Sequence, residues 1–200
     1  MELLFKNETV QFNEQSSVGE IIEKINELLT NRYYYSHIIV DGVEIYKEPE
    51  TFLLDSLESI STIEVVVKTA REFVDESLLI AADYLKGALP EIQVLADGFY
   101  QNPKARDWEM FSAMLEGMQW LNQTIDLIDK STEIPVNWDA CIRLAVQLQM
   151  ELKNLEQAVE NTDSVLIADI IQYELLPVYG ALLVEFNTTI DTEVERNDLN

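Results

Sequence analysis

The stretch that decides the fold is IEVVVKTAREFVDE, residues 63–76, because its apolar periodicity changes halfway along. Ile63, Val65 and Val67 occupy alternate positions, which predicts a β-strand. From Phe73 onward the apolar residues recur at steps of three and four, which predicts an amphipathic helix. No Gly, Pro or Ser linker separates the two patterns. The sequence therefore predicts a β module that is joined directly to a helical one.

The residues before this stretch predict the remaining elements of the β module. MELLFKN and ETVQFNE have the alternation and the polar turn of a hairpin. SSVGEIIEKINELLT predicts a helix, in which Ser17 and Glu20 have the spacing of a capping box. SHIIVDGVEIY predicts a second hairpin around Asp41-Gly42, because a two-residue turn favours residues that accept a positive φ. TFLLDSLESIS then predicts a helical turn before the last strand.

The resulting order of elements, β-β-α-β-β-turn-β, resembles the ubiquitin-like β-grasp fold over residues 1–69. The segments that carry the resemblance are SHIIVDGVEI and LESISTIEVVVK, which stand in the order and at the spacing of that fold's third and fifth strands. The resemblance implies a protein-recognition module. Ubiquitin-type modifiers end in Gly-Gly just after the last strand, whereas this chain continues as KTAREFV and ends in RNDLN. We therefore expect no conjugation to other proteins.

Strand alternation divides the predicted sheet into two faces. Leu4, Ile39 and Val66 are expected on the outer face, on three neighbouring strands, and the resemblance implies that Ile39 and Val66 fall in the family's recognition patch. An apolar patch on the outside of a sheet needs a cover. The cover is either the helical half of this chain or a separate protein partner. The residues expected to face inward are Met1, Leu3, Phe5, Ile38, Val40, Ile63, Val65 and Val67.

Residues 70–190 predict an antiparallel bundle of about four long helices, because the loops between the apolar segments are short. The whole chain is thus expected to have an α+β fold. The first helix is predicted over about 70–101, with an interruption near Gly87 and Pro90 at which it is either kinked or split. The acidic segment 191–200 is predicted to be a frayed tail.

The later helices are predicted from their caps and apolar seams. Asn102-Pro103 is expected to cap and begin the second helix, and Asn137 to cap the third. The third helix has an almost strict heptad seam, which can close within one chain or between two copies in a homo-oligomer. In the fourth helix the predicted seam is Leu166, Ile170, Tyr173, Pro177, Ala181 and Val184.

Two features of the helical half predict a groove. ESLLIA at 76–81 and DSVLIA at 163–168 are each followed by Leu-Pro at the same spacing, which places Pro90 and Pro177 at the same depth. The repetition indicates either a matched pair of kinks, an old duplication or a coincidence in Leu-Ala-rich helices. The second helix also carries a methionine every four residues, which favours either an adaptable groove or core packing. The candidate groove residues are Met110, Met114, Met118, Pro90 and Pro177.

Charge and composition limit the partners and the location. Against 13 Lys and Arg the chain has 37 Asp and Glu, a formal net charge of −24, which repels nucleic acids and anionic lipids and favours basic partners. Cys141 is the single cysteine, which fits a reducing compartment. The start, MELLFKNETV, does not have the pattern of a signal peptide. The longest nearly apolar run, at 175–184, is half of the roughly 20 residues that span a bilayer. We expect a cytoplasmic protein that binds neither nucleic acid nor membrane.

The sequence offers little for catalysis. His37 is the single histidine, expected to be solvated at the start of a strand, so a Ser-His-Asp triad within the helical half is excluded. Cys141 is expected to pack in an apolar seam as a small hydrophobe. Acidic pairs lack the ligand spacing of a calcium loop. These pairs are Asp75/Glu76, Asp107/Glu109 and Asp126/Asp129. We therefore expect no catalytic residues, no metal site and no cofactor.

These observations favour a non-catalytic protein–protein interaction module, an adaptor or scaffold whose partner is a basic or amphipathic protein. An acidic chaperone for an exported or assembling protein is the first alternative, since an apolar groove suits a partner's amphipathic helix. A divalent-metal-dependent enzyme is a weaker alternative, because it would need several carboxylates inside a bundle whose predicted seams are almost wholly apolar.

Overall fold

The computed structural model of the chain describes residues 1–13, 15–29 and 33–194. Over these residues the protein has an α+β fold, in which a mixed sheet of five strands is followed by helices. The chain divides into two compact units, Met1–Phe73 and Val74–Asn200.

The first unit is a mixed sheet with helices in its connections. Its strands are β1 (Glu2–Phe5), β2 (Glu8–Gln11), β3 (Tyr33–Val40), β4 (Val43–Ile45) and β5 (Thr62–Thr69). They lie in the order β2-β1-β5-β3-β4, with β1 parallel to β5 and the other neighbours antiparallel. The connections contain α1 (Val18–Leu28), α2 (Pro49–Ser56) and a 3₁₀ turn (Leu57–Ser59).

The local predictions for this unit are confirmed. The inward-facing residues, Met1 and Val67 included, are all in the core or packed against it. Asp41 and Gly42 take φ values of 46° and 88°, as the two-residue turn requires. At the start of α1 the Ser17 N–H donates to Glu20 Oε2 at 2.8 Å, and the Glu20 N–H donates to Ser17 Oγ at 3.3 Å. This reciprocal pair is the predicted capping box.

The change from strand to helix takes no intervening residue. β5 ends at Thr69 and α3 (Ala70–Tyr100) begins at the next residue. The backbone N–H and the hydroxyl of Thr69 donate to Glu72 Oε2 at 2.7 and 3.0 Å, and the Glu72 N–H donates back to Thr69 Oγ1 at 3.2 Å. The Thr69 hydrogen bonds lower the pKa of Glu72, and the nearby Lys6 and Lys68 charges lower it further. Thr69 thus closes the sheet and caps the helix.

The second unit consists of the rest of α3 and the helices that follow it. These are α4 (Ala105–Asp129), α5 (Trp138–Glu160), α6 (Ser164–Asp169), a π-helical segment (Ile170–Leu175) and α7 (Leu176–Glu193). The last three elements form one continuous helix, and α5 packs against this helix and against α4. α3 is linked to the same helix by Gln93, whose amide exchanges hydrogen bonds with Gln172 at 2.6 and 3.3 Å.

The first helix is not split at the predicted interruption. α3 runs without a break through Gly87 and Pro90. A proline removes one backbone hydrogen bond, whereas Leu85 and Ile92 on either side are buried and hold the helix by packing. The prediction gave the proline more weight than the apolar face around it.

The expected caps of the next two helices are only partly right. Asn102 adopts a left-handed φ of 72°, which ends α3, and α4 begins at Ala105. The Lys104 N–H instead donates to the Asp107 carboxylate at 2.7 Å. Asn137 does occupy the N-cap position of α5, but its side chain makes no capping hydrogen bond. Asn137 links α5 to α7 instead.

That link is a small polar network. The Asn137 amide nitrogen donates to the Glu185 carboxylate at 2.7 Å and to the Glu185 carbonyl oxygen at 3.1 Å. The Thr189 hydroxyl donates to Asn137 Oδ1 at 2.6 Å. Every polar atom of the Asn137 amide group is therefore used between the two helices, which explains why none caps α5.

The predicted seam of the C-terminal helix is largely wrong. Leu166, Tyr173 and Val184 are 41%, 65% and 63% exposed. The Leu176 N–H bonds to the Ile171 carbonyl, five residues back, so the π-helical segment takes up one extra residue and later positions rotate. The residues that this helix buries are Ile167, Ala168, Ile170, Ile171, Leu175, Val178, Tyr179, Leu182, Phe186, Thr189 and Ile190.

The length and composition of the C-terminal helix concern two predictions, the frayed tail at 191–200 and the absence of membrane binding. α7 continues to Glu193, so the tail predicted at 191–200 begins as helix, and residues 195–200 lie outside the described residues. Within the described part of the chain, one helical run, Ser164–Glu193, is long and apolar enough to cross a bilayer. The core helix of a folded unit meets the same two criteria, and this run buries many of its apolar side chains.

The capping box at Thr69 leads to a pH-dependent prediction. We expect Glu72→Ala to lower the free energy of unfolding by about 1 kcal/mol at pH 7, because it removes the acceptor of the cap. The pKa of Glu72 is lowered in the folded state, so its stabilisation is present above the unfolded pKa and is lost as pH falls below it. Urea unfolding should therefore show a smaller difference in stability between Glu72→Ala and the parent at pH 3 than at pH 7. Glu72→Gln, which keeps a neutral acceptor, serves as the control, and equal stability of Glu72→Ala and the parent at pH 7 would contradict the cap.

Candidate functional site

The outer face of the sheet carries the patch expected from the sequence. Leu4 lies on β1, Val66 on β5 and Ile39 on β3, which are adjacent strands, and each of these three side chains is half-buried. Glu64 on β5 pairs with Leu4 on one side and with Ile39 on the other. An exposed carboxylate therefore stands between two members of the patch.

His37 differs from its expectation. It is only 8% exposed, and it lies on β3, a strand inside the sheet between β5 and β4. Its ring stacks on Tyr46 at a centroid distance of 4.3 Å, and Nδ1 lies 3.1 Å from the Ser36 hydroxyl. Its Nε2 is buried without a hydrogen-bond partner among the described residues. The expected solvated histidine is thus a buried part of the same sheet face, paired with Val66.

The second unit contains a solvent-open cavity of about 270 Å³ between α3 and α4. Seven of its eight lining residues are Ala, Ile, Leu, Met or Tyr, and the remaining one is Glu91. The α3 wall consists of Tyr84, Ala88, Glu91, Ile92 and Leu95, and the α4 wall of Met110, Ala113 and Met114. The cavity therefore offers apolar contact with one carboxylate on its wall.

The predicted groove residues do not all meet at this cavity. Met110 and Met114 line it. Met118, one turn further along α4, is fully buried in the core. Pro90 and Pro177 are exposed, and neither lines the cavity. The methionines occur at a helical spacing of four, so a stripe that begins at the cavity continues into the core.

Tyr84 is one of the residues that line the cavity. A Cβ added at Gly117 would overlap the Tyr84 hydroxyl, so this hydroxyl lies directly over the backbone of α4. The Tyr84 and Trp120 rings pack edge to face, with 5.3 Å between their centroids. Gly117 lies three residues after Met114 and four after Ala113, that is, about one helical turn further along α4. The Tyr84 hydroxyl, which lies over Gly117, is therefore one turn beyond these two lining residues.

A second tyrosine lies behind Tyr84. Tyr179 on α7 is fully buried, and its hydroxyl neighbours that of Tyr84. The Tyr179 hydroxyl has no partner with hydrogen-bond geometry among the described residues. Burial raises the pKa of both phenols, so both are neutral hydroxyls at physiological pH. The two neutral hydroxyls, one on α3 and one on α7, thus influence each other's pKa.

Cys141 and the acidic pairs show no arrangement of reactive groups. Cys141 is fully buried, and burial raises the pKa of its thiol to about 12, with a further contribution from the Glu185 charge. Asp107 caps α4, and Asp126 forms an ion pair with Lys130 at 2.6 Å. Over residues 1–13, 15–29 and 33–194, no three His, Cys, Asp or Glu side chains are grouped closely enough to hold a metal ion.

Four residues at or near the cavity were not predicted from the sequence: Tyr84, Gly117, Tyr179 and Glu91. Gly117 did carry a signal, because a glycine inside a strongly apolar helix often marks a close packing contact. Tyr84 and Tyr179 are 95 positions apart, and nothing in their local sequence indicates that their hydroxyls meet. Glu91 is one acid among many in an acidic chain.

Gly117 gives a stability prediction with a matched control. We expect Gly117→Ala to lower the free energy of unfolding by about 1–2 kcal/mol, because the new methyl group must displace the Tyr84 hydroxyl. Gly87→Ala, where nothing lies within 4 Å of an added Cβ, should raise it by about 0.5–1 kcal/mol through helix propensity alone. Chemical denaturation measures both. A stabilised Gly117→Ala variant would show that Tyr84 does not occupy this position.

Cys141 gives a prediction about reactivity. We expect the native thiol to resist a disulfide reagent at pH 8, because it is buried and neutral, and to react fully in urea. Its folded pKa of about 12 lies above the ordinary 9.0, so its contribution to stability is complete below pH 9 and is lost as pH rises from 9 to 12. Rapid labelling of the folded protein would contradict this placement.

Comparisons with known proteins extend over both units. A protein of Treponema pallidum (strain Nichols), described as an uncharacterized protein, is 24% identical over 185 residues, which are 89% of this chain and 92% of that protein. No solved structure matches the chain. The DUF8042 family, a domain of unknown function, matches residues 76–185, from the second turn of α3 into α7. The match covers more than half of the chain and includes the cavity and both tyrosines, and the chain therefore belongs to the DUF8042 family.

Proposed function

We propose that this protein is a non-catalytic interaction protein, an adaptor that binds a basic amphipathic helix of a protein partner. In this proposal the first unit is a ubiquitin-like β-grasp module, and α3, α4, α5 and the C-terminal helix form a four-helix bundle. The parallel pairing of the first and last strands supports the β-grasp assignment. Contacts of α3 and α5 with the C-terminal helix, and of α4 with α5, support the bundle.

The observation that carries the proposal is the apolar cavity between α3 and α4. Two of its lining residues, Met110 and Met114, are methionines, whose flexible thioethers adapt to different apolar side chains. A volume of about 270 Å³ accommodates one large side chain, since a cavity of about 150 Å³ is enough for benzene. A helix that lies across the cavity would insert one such anchor and rest its remaining apolar side chains on the rim.

The negative charge of this unit favours a partner with a positive charge. Residues 71–200 contain 24 acidic and 8 basic residues, and Glu91 contributes a carboxylate to the cavity wall. Lysine and arginine beside the anchor would find acidic groups within reach, which speeds association and disfavours acidic competitors. The same field disfavours nucleic acid and anionic membrane, so we propose a protein partner in the cytoplasm. An acidic chaperone that shields such a helix would use the same contacts.

The sheet face adds a second surface of similar character. Leu4 and Ile39 flank Glu64, so this patch also combines apolar side chains with a carboxylate. We propose that it recognises a protein as well, which the resemblance to ubiquitin-like modules favours. Its location on the first unit makes it separable by mutation from the cavity.

The cavity proposal can be tested with a pair of tryptophan variants. Ala113 and Ser112 are adjacent exposed residues of α4, but only Ala113 lines the cavity. The probe is a fluorescent Leu/Lys amphipathic peptide of about 18 residues, or five helical turns, with one central tyrosine. We expect Ala113→Trp to weaken binding about tenfold, because the indole blocks the cavity, a loss of about 1.4 kcal/mol. Ser112→Trp should bind the peptide like the parent.

Fluorescence anisotropy measures both affinities, and a Leu/Glu peptide of the same length controls for charge. Equal binding by the two tryptophan variants would mean that the peptide is held by surface charge alone. That result would remove the cavity from the proposal.

A further inference from the structure

We infer that the part of strand β3 that β4 leaves unpaired binds an extended segment of a protein partner. The segment adds to the sheet as a strand, inserts one large apolar side chain beside Tyr35, and carries lysine or arginine next to that side chain. The inference goes beyond the proposed function, because it concerns the first unit and does not depend on the α3–α4 cavity.

The first argument is the difference in length between β3 and its outer neighbour. β3 pairs with β5 from Tyr33 to Val40, whereas the three residues of β4 cover it only from Ile38 to Val40. Among the described residues, no backbone hydrogen bond outside the sheet ladders reaches residues 33–37. Alternate residues of a strand direct their N–H and C=O groups to opposite edges. This segment therefore has backbone groups that another strand can pair with.

The second argument is that the chain after β4 leaves this edge. β4 ends opposite Ile38, just short of a bulge in β3 between Tyr35 and His37. Glu48 then adopts a left-handed φ of 47°, and α2 begins at Pro49. Because a bulge bends a strand and interrupts its ladder, the outer edge of β3 has two segments, of which β4 covers one.

The third argument is a solvent-open cavity of about 240 Å³ beside the unpaired segment. Tyr35 and Ile38 of β3 line it with Pro49 and Glu50 of α2, and the other four lining residues, Asn26 among them, belong to α1 and its C-cap. Tyr35 and Ile38 are three positions apart, and the bulge between them brings both to the same side of the sheet. A strand paired with β3 directs alternate side chains to this side, and the cavity accommodates one leucine or phenylalanine side chain.

The charge of the first unit indicates which segment fits. Residues 1–70 contain 13 acidic and 5 basic residues. Glu50 lines the cavity, and Glu48 and Glu50 are exposed on either side of Pro49. Lysine or arginine next to the apolar side chain meets these carboxylates, whereas an acidic segment is repelled. The same repulsion disfavours pairing between the β3 edges of two copies of this chain.

The test uses the full chain and a fluorescent peptide of about seven residues that alternates lysine with valine and has leucine at its centre. Two further peptides are N-methylated, one on all its lysines and the other on its valines and leucine. An added strand pairs through one edge only, so we expect one methylated peptide to bind about tenfold more weakly, since it loses about two hydrogen bonds, and the other to bind like the unmethylated peptide. Fluorescence anisotropy measures the three affinities.

Two tryptophan variants test the cavity beside the strand. Asn26 is an exposed residue of α1 that lines the cavity, and Thr51 is an exposed residue of α2 that does not. We expect Asn26→Trp to weaken binding of the unmethylated peptide about tenfold, because the indole fills the space for the leucine side chain. Thr51→Trp should bind the peptide like the parent.

Each outcome supports or overturns the inference. A parent protein that does not bind the peptide, or that binds the two methylated peptides equally, would overturn it, and so would equal binding by the two tryptophan variants. If sedimentation shows a dimer that the peptide dissociates, a second copy occupies the edge, and the assignment to a separate partner is overturned. If Asn26→Trp fails to fold, the methylated peptides alone decide. Ala113→Trp should bind this peptide like the parent, so the inference and the proposed function fail separately.

Discussion

The direct passage from strand β5 to helix α3 depends on the reciprocal hydrogen bonds between Thr69 and Glu72. A strand and a helix place opposite demands on the backbone, and most chains insert a loop between them. Here the threonine completes the sheet register opposite Tyr33 and at the same time provides the hydroxyl that the first turn of α3 needs. Glu72 accepts in return from the threonine N–H, so two of the backbone donors at this helix start are satisfied locally. The immediate change of periodicity in the sequence is the visible consequence of this cap.

Acidic residues shape the surfaces of both units. A net charge of −24 would normally be spread over a solvated exterior, but two carboxylates stand within apolar surfaces. Glu64 separates Leu4 from Ile39 on the sheet, and Glu91 interrupts the wall of the cavity. Such an arrangement weakens binding to neutral apolar molecules and favours partners that bring a compensating cation.

Much of the first unit could be predicted from the sequence, because its signals are local. A period of two fixes which residues face the core, and Asp41-Gly42 fixes the turn. The helical unit was harder to predict, since its errors came from interactions between elements. Packing on both sides of Pro90 outweighs the proline, and the amide of Asn137 serves α7 rather than its own helix. Of the cavity, the sequence indicated Met110 and Met114. The contact of Tyr84 with Gly117 and Tyr179 arises only in the folded chain, so no local pattern could show it.

The π-helical segment can be explained by the insertion of one residue during evolution. A π-turn arises when one residue is inserted into an α-helix, and it confines the disturbance to a single turn. Each helical residue turns the chain by about 100°, so loss of that residue would rotate all of α7 by this angle against the part before it. Ile167 and Ala168 would stay buried, but Tyr179 and Phe186 would leave the interior. The pairing of Tyr179 with Tyr84 can therefore be the product of one insertion, which would have brought the two hydroxyls together in a single step.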